Sequence, residues 1–110
     1  MDIFQALGDK NRRNIIELLS KKGQLTSTDI SNQFNISAPA ISQHLKVLRG
    51  ARLVQMEKKA QQRIYKINPG AMKEIQEWLK RMTRLWDDRF SMLDRILEQE
   101  KKKGGTKKNG

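Results

Sequence analysis

The stretch from Ala71 to Glu100 contains no proline or glycine, and its apolar residues recur at alternating steps of three and four. This spacing places them along one face of an α-helix, in the heptad pattern of helices that pair. The seam is interrupted by Arg89, and neighbouring apolar residues widen the face beyond what a lone solvated helix can hide. The pattern therefore predicts a long helix covered by a second subunit. The predicted dimer interface comprises Met72, Ile75, Leu79, Met82, Trp86, Phe90, Leu93 and Ile96, together with Ile3 and Phe4 of a short amphipathic turn.

Capping residues divide the amino-terminal part of the chain into short helices. Asp9 can cap a helix over residues 11–21, and Gly23 suits its exit. Thr26 followed by Asp29 resembles a capping box with aspartate in place of glutamate. This pair predicts the start of a second short helix.

A third helix and a hairpin follow. Ser37 can cap a helix over residues 37–49, with Pro39 tolerated in the first turn, where backbone N–H groups have no helical partner. Gly50 allows the chain to turn out of this helix. Residues 53–56 and 63–67 then flank a polar stretch, which predicts a two-stranded hairpin with a basic tip. The expected fold is mainly α with a small β-hairpin, a winged helix-turn-helix with a long C-terminal dimerisation helix.

Length and charge limit the classes of partner. The chain has 110 residues and a formal net charge of +11. That length allows one modest core, and that charge favours nucleic acid or an anionic membrane surface as a partner. Residues 101–110 carry five lysines and no apolar side chain. We expect a folded domain over residues 1–100 followed by a disordered basic tail over residues 101–110.

Cysteine usage and hydropathy narrow the class further. The chain has no cysteine, so neither a disulfide framework nor a thiolate metal site can form. Its apolar runs are far shorter than the ~20 residues that a membrane-spanning helix needs. The amino terminus lacks a basic region followed by an apolar one. We expect a cytoplasmic protein with no membrane partner and no cofactor.

The helix over residues 37–49 is the segment expected to read double-stranded DNA. The second helix of a helix-turn-helix enters the major groove, where small residues permit close approach and polar residues reach base edges. Ser42 and Gln43 are the best base-reading candidates, and the helix start at Ser37 could also hold a phosphate. The wing over residues 57–63 could reach phosphate or a minor groove, with a solvated turn as the alternative. The candidate DNA-binding residues are Ser37, Ala38, Pro39, Ala40, Ser42, Gln43, Lys46, Lys58, Lys59, Gln61, Gln62 and Arg63.

Three further DNA-binding candidates each have a second interpretation. His44 is either a DNA contact or an ordinary helix residue satisfied by a local hydrogen bond. Arg12 and Arg13 stand near a helix start, where the helix dipole disfavours cations, and this placement hints at phosphate contact. Burial of their stems along the protein surface is equally compatible with the sequence.

At the level of residues, the chain resembles the ArsR-type winged helix-turn-helix repressors over about residues 3–98. The segments ALGDKNRRNIIELL, SAPAISQHLKVLRGARLV and QQRIYKI are similar to that family's opening helix, recognition helix with following strand, and wing. The resemblance implies a homodimer that represses transcription by covering an operator and is released when an effector binds or leaves. The symmetry of such a dimer predicts an imperfect palindromic operator, with recognition helices roughly 34 Å apart.

The resemblance also bears on metal sensing. Metal-sensing members carry a Cys-x-Cys pair early in the short helix that begins at Thr26 in this chain, where Thr26, Ser27 and Thr28 stand instead. Other members use histidine and carboxylates on the terminal helix, which has no histidine here. The sequence therefore predicts no metal switch of the known kinds, and Trp78 and Trp86 on the long helix resemble the metal-free branch. The seam between subunits could enclose a pocket for an unknown small-molecule effector, or no effector exists.

Two other functional classes compete with a DNA-binding regulator. An enzyme would need a nucleophile with a base, paired carboxylates or a metal cluster. The chain has one histidine and no cysteine, and it lacks a glycine-rich phosphate loop, so we expect no catalysis. The stronger rival is a protein–protein interaction or general polyanion-binding module that uses the long amphipathic C-terminal helix. A preference of ~10³ or more for one duplex over random DNA distinguishes a specific regulator from such a module.

Overall fold

The computed structural model describes residues 1–108, with side chains described as far as residue 102. The fold is mainly α with a small sheet, as predicted. The chain divides into two units, residues 1–75 and the part of the last helix from Gln76 onward. The elements in chain order are α1 (Ile3–Ala6), α2 (Lys10–Lys22), β1 (Gln24–Thr26), α3 (Ser27–Asn32), α4 (Ala38–Gly50), β2 (Val54–Lys59), β3 (Gln62–Ile67) and α5 (Pro69–Lys108).

The capping signals in the sequence set the helix starts. The Asp9 carboxylate accepts a hydrogen bond from the N–H of Arg12 at 3.1 Å, and Gly23 ends α2 with a φ of 89°. Thr26 and Asp29 form the predicted capping box, each side chain accepting from the other's backbone N–H. These contacts are local, which is why the sequence alone places the starts of α2 and α3 correctly.

The Asp9 cap makes the stability of α2 sensitive to acid. The hydrogen bond from the N–H of Arg12 lowers the pKa of Asp9 below its ordinary 3.8, and the N–H of Asn11 and the positive charge of Arg12 add to the effect. A carboxyl group with a lowered folded-state pKa stabilises the fold above its unfolded pKa. That contribution is lost as the pH falls through the folded-state pKa.

We expect Asp9→Asn to be less stable than the wild type at neutral pH but to lose less stability on acidification below about pH 4. Asparagine keeps an oxygen that can cap the helix and removes the titratable charge. Thermal unfolding measured across an acid pH series gives both quantities. Asp87→Asn, which removes a carboxylate from the exposed part of α5, is the matched control. An Asp9→Asn profile parallel to that of the wild type contradicts the assignment.

The exit from α4 differs from the prediction. Gly50 is the last helical residue, and the left-handed conformation belongs instead to Arg52, with a φ of 64°. The N–H of Arg52 donates to the carbonyl of Arg49, and the N–H of Leu53 donates to that of Leu48, both at 3.0 Å. This pair of bonds is the Schellman arrangement. Leu48 and Leu53 are fully buried, so their packing holds an arginine in a conformation that glycine adopts more readily.

β3 is the central strand of a three-stranded antiparallel sheet, with β1 and β2 on either side. Leu25 of β1 and Met56 of β2 both lie opposite Tyr65, the buried residue of β3. The hairpin is more regular than predicted, because β2 and β3 extend to Lys59 and Gln62 and are joined by a two-residue turn. The core of residues 1–75 includes Ile15, Leu19, Ile30, Ile41, Leu45, Leu48, Leu53, Val54 and Tyr65.

α5 begins two residues before the predicted helix and is assigned as helix to Lys108. Ala71 is buried, and Met72 and Ile75 pack against the core of residues 1–75. The helix therefore continues beyond the predicted domain end at residue 100, while residues 109 and 110 lie outside the described residues; the disordered tail over residues 101–110 stays a prediction. Within the described residues, no helix combines the length and the apolar character that crossing a bilayer demands.

Candidate nucleic-acid interface

α4 has one buried face and one polar face free of carboxylates. Ile41, Leu45 and Leu48 are buried in the core. The helix contains no aspartate or glutamate. Its residues on the solvent side therefore offer donors and small side chains without repelling an anion. The predicted DNA-binding residues of α4 are exposed at Ser37, Ala38, Pro39, Ser42, Gln43 and Lys46, and half-buried at Ala40 and His44.

The amino terminus of α4 has few backbone N–H groups left for a phosphate. Ser37 accepts twice, through its side-chain oxygen from the N–H of Ala40 at 3.2 Å and through its carbonyl from the N–H of Ile41 at 3.1 Å. Pro39 has no N–H to offer. In this first turn, no described residue accepts from the N–H of Ala38. A phosphate clamp at this helix start therefore depends on two backbone donors, the N–H groups of Ser37 and Ala38.

The outer half of the β2–β3 hairpin, the wing, separates its long side chains onto two faces. Directly opposed residues of an antiparallel pair share a face, and the faces alternate along each strand. Lys58 lies opposite Arg63, on the face that also carries Tyr65, whereas Lys59 lies opposite Gln62 on the other face. Like charges placed opposite each other destabilise a hairpin. The Lys58–Arg63 pair is therefore unfavourable for folding alone and suits an anionic partner.

A groove of about 370 Å³ runs between α3, α4 and the wing. Ser42 of α4 and Arg63 of β3, which are far apart in the sequence, both line it. The α3 side is lined by Ser27, Thr28 and Ser31, whose hydroxyl groups are donors of the kind that contact DNA phosphates. Sequence analysis missed these three residues as DNA-binding candidates. For Ser27 and Thr28, the available sequence signal is the run of hydroxyl residues at the start of α3.

Arg12 links the end of α1 to α4. Its Nη1 lies 3.4 Å from Nδ1 of His44. Its remaining nitrogens donate to the carbonyl end of α1, which gives this half-buried side chain a structural role within the subunit. The bonds to α1 run from Nε to the carbonyl of Ala6 at 2.6 Å and from Nη2 to the carbonyl of Gln5 at 3.5 Å.

Arg13 also holds the end of α1 but does not reach α4. Its Nη1 donates to the carbonyl of Leu7 at 2.8 Å, while the side chain as a whole remains exposed. Of the two interpretations that the sequence allows for this pair of arginines, the contacts favour packing along the surface. The structure does not bring Arg12 and Arg13 to the groove that Ser42 and Arg63 line.

The positive charges of the interface are not neutralised by the protein. Among the described residues there is one ion pair, between exposed Lys21 and Glu17 at 3.8 Å. Lys46 on α4 and the cations of the wing therefore remain available to an external anion. Residues 1–102 also contain no grouping of three or more His, Cys, Asp or Glu side chains that could hold a metal ion.

The predicted dimer-interface residues fall into three environments. Ile3 is 7% exposed and belongs to the core of residues 1–75, so its side chain leaves little surface for a partner. Met72, Ile75 and Met82 are half-buried. On α5, Trp86 and Phe90 stack with ring centroids 5.6 Å apart. The residues that expose large apolar surface, between 42% and 56%, are Phe4, Leu79, Trp86, Phe90, Leu93 and Ile96.

The chain is similar to known proteins both in sequence and in structure. Residues 9–56 match the family described as bacterial regulatory protein, arsR family. The transcriptional repressor SdpR of Bacillus subtilis (strain 168) is 37% identical over 78 residues, which is 71% of this chain and 86% of SdpR. HlyU from Vibrio cholerae N16961 matches with a TM-score of 0.60 at 30% identity, over 73% of this chain and 86% of HlyU. An ArsR-like transcriptional regulator from Rhodococcus sp. RHA1 shares the fold, with a TM-score of 0.72 at 24% identity over 86% of this chain and 88% of that one.

Proposed function

We propose, since this chain belongs to the arsR family of bacterial regulatory proteins, that it represses transcription as a homodimer that covers a palindromic operator. Like the other members of this family, it is a DNA-binding transcription regulator and not an enzyme. The observation that carries the proposal for this chain is the groove where α3, α4 and the wing converge without a carboxylate among the residues that line it. The same proposal includes a cytoplasmic location.

In this proposal α4 reads bases in the major groove. Ser42 and Gln43 are exposed side chains near the middle of the helix, and both donate and accept hydrogen bonds. Glutamine pairs with the N6 and N7 edge of adenine, and serine pairs with several bases. Ala38 and Ala40 keep the start of the helix narrow, which supports a close approach to the duplex. Lys46 adds a cation for the flanking phosphates.

The wing and the hydroxyl groups of α3 grip the DNA backbone. Lys58 and Arg63 share the face of the wing that leads into the groove, where Ser27, Thr28 and Ser31 line the opposite wall. A phosphate between these walls would relieve the repulsion within the cation pair. Contacts with the DNA backbone carry no sequence information. The wing and α3 therefore contribute affinity and orientation, and α4 determines the choice of site.

The second copy of the chain covers the apolar face of α5. Leu79, Trp86, Phe90 and Leu93 are each about half exposed, and together they form a patch of the kind that marks subunit interfaces. Two such helices pair through the heptad pattern. Dimerisation then places two copies of α4 on one side of the duplex.

Selection of bound duplexes from a random library, followed by competition gel shifts against random DNA, tests the function. We expect an inverted repeat and a preference of ~10³ or more over random duplex. A preference below tenfold would instead indicate the general polyanion-binding module, which the family relationship does not favour.

Gln43→Ala and Lys58→Ala should separate base reading from backbone gripping. Gln43→Ala is expected to relax the base preference at one operator position by about 1–3 kcal/mol. Lys58→Ala is expected to weaken all duplexes alike and to reduce the slope of log affinity against log salt by about 0.9. Affinities measured on the selected operator and on random DNA at several salt concentrations give both quantities.

Lys59→Ala is the matched control for Lys58, because Lys59 is an adjacent lysine on the opposite face of the wing. We expect a smaller change in the salt slope for Lys59→Ala. Equal changes for the two lysines would contradict the proposed orientation of the wing. Uniform loss of affinity in Gln43→Ala across all duplexes would contradict the base-reading role.

A further inference from the structure

We infer that Arg12 is a positioning residue for DNA recognition: it fixes the ring of His44 so that Nδ1 accepts a hydrogen bond and the Nε2–H is presented to a phosphate oxygen of the operator. The inference rests on the proposed DNA-binding function and deepens it. It assigns the direct contact to His44 and an indirect role to Arg12. Arg12 lies on α2 and His44 on α4, and the sequence alone does not show that the two side chains are in contact.

The chemistry of the pair determines where the ring proton lies. A guanidinium group has five N–H donors and no acceptor. At 3.4 Å from Nη1 of Arg12, Nδ1 of His44 can complete a hydrogen bond only as the acceptor. The neutral ring then carries its proton on Nε2.

The donor from Arg12 is itself held in place. Its Nε donates to the carbonyl of Ala6 at 2.6 Å, and its Nη2 lies 3.5 Å from the carbonyl of Gln5. The carbonyl of Ala6 lies at the carboxyl end of α1, where helical carbonyls lack an intrahelical partner, whereas the carbonyl of Gln5 also accepts from the N–H of Gly8 at 3.0 Å. Since the planar guanidinium is fixed on two sides, its remaining edge sets the orientation of His44 before any DNA binds.

The position of His44 on α4 directs Nε2 toward a phosphate. The two nitrogens of an imidazole point in divergent directions, and no residue of the described part of the chain hydrogen-bonds Nε2. At 100° per residue, His44 and Ser42 lie on opposite flanks of α4, on either side of the outward-facing Gln43. Ser42 lines the groove toward α3 and the wing. The major groove is bounded by two phosphate backbones, so a helix inside it meets one on each flank.

Arg12 is poorly placed to bind a phosphate itself. All three of its nitrogens have partners within the subunit, and Nη2 also lies 4.0 Å from Sδ of Met1. The side chain is half-buried, whereas the cations of the wing are exposed. A direct phosphate contact would require Arg12 to leave its partners on α1. A direct contact and a positioning role therefore predict different salt dependence of the operator affinity.

The ring of His44 can be observed without ambiguity, because it is the one histidine of the chain. Long-range ¹H–¹⁵N NMR of the ¹⁵N-labelled full chain, at a pH where the ring is neutral, reports which nitrogen carries the proton. We expect the Nε2–H form in the wild type and a shift toward the tautomer mixture of free imidazole in Arg12→Met. Arg13→Met removes the neighbouring bond to the end of α1 without touching His44, and it should leave the ring signals unchanged. A wild-type ring protonated on Nδ1 overturns the inference whether or not the protein binds DNA.

A double-mutant cycle on the selected operator tests the consequence for recognition. His44→Ala and Arg12→Met are each expected to weaken binding about tenfold, and the double variant no more than about twofold beyond either. Arg12→Met should leave the salt slope unchanged, whereas loss of a direct phosphate contact lowers it by about 0.9. Additive losses near a hundredfold, or a reduced slope, overturn the positioning role. If the wild type shows no sequence preference, the proposed function fails, and the NMR result still decides whether Arg12 orients the ring.

Discussion

The double substitution Leu79→Glu and Trp86→Glu is expected to produce monomers whose operator affinity is lower by about a hundredfold or more. The side chains of Leu79 and Trp86 expose 51% and 56% of their surface on the seam of α5. A carboxylate at either position would have to be buried without a partner when two such helices pair, and that desolvation outweighs the apolar contact. A monomer also loses the second half-site, because its partner's α4 is no longer tethered to the same duplex. Sedimentation equilibrium and gel shifts on the selected operator measure the two effects.

Ser91→Glu with Arg84→Gln is the control for charge. These positions are seven residues apart on the side of α5 opposite the seam, and together they change the net charge by the same amount. We expect this variant to remain dimeric and to bind within a few-fold of the wild type. Two outcomes count against the interface: a seam variant that still sediments as a dimer, and a monomer that binds the operator as tightly as the wild type.

Leu45→Ala is expected to lower the free energy of unfolding by about 2–5 kcal/mol. Leu45 lies on the inner face of α4 and is 1% exposed, so its removal leaves a cavity where α4 meets the core. The free energy of unfolding of a small domain is about 5–15 kcal/mol, so the substitution removes a large part of the total stability. Urea unfolding at a fixed protein concentration measures the loss, since the proposed dimerisation would make the apparent stability depend on concentration.

Lys46→Ala, one residue further along the same helix, separates packing from recognition. Lys46 is exposed, and lysine and alanine are both good helix formers. We expect its free energy of unfolding to stay within about 0.5 kcal/mol of the wild type. Operator affinity should nevertheless fall, because a phosphate contact is lost. A stability loss in Lys46→Ala comparable to that of Leu45→Ala would contradict the orientation of α4.

Local chemistry explains which parts of the fold the sequence predicts. The starts of α2 and α3 follow from Asp9 and from the Thr26–Asp29 pair, since each cap joins residues three positions apart. The exit of α4 could not be predicted in this way. Gly50 was the natural candidate on local grounds, but burial of Leu48 and Leu53 places the left-handed residue at Arg52.

The candidate site shows the same division between local and tertiary information. The sequence selects Ser42 and Arg63 as polar residues on the expected elements, but only the fold shows that they line one groove with the hydroxyl groups of α3. It also leaves Arg12 and His44 with two interpretations each, because their contact joins helices far apart along the chain. For Ile3, the amphipathic turn indicates which face is apolar, but only the fold shows that residues of the same subunit cover it.

The scarcity of free N–H groups at the start of α4 has a consequence for how such a regulator can acquire new targets. Pro39 has no N–H and the N–H of Ala40 donates to the side chain of Ser37, so this turn retains the N–H groups of Ser37 and Ala38 alone, and main-chain docking would do little to hold α4 in one register on the proposed site. In the proposed function, docking on the DNA backbone depends on the wing and α3. Substitutions at positions 42 and 43 are therefore expected to change the preferred operator while the contacts with the sugar–phosphate strands stay the same, which makes these two positions the natural starting point for engineering an altered regulon.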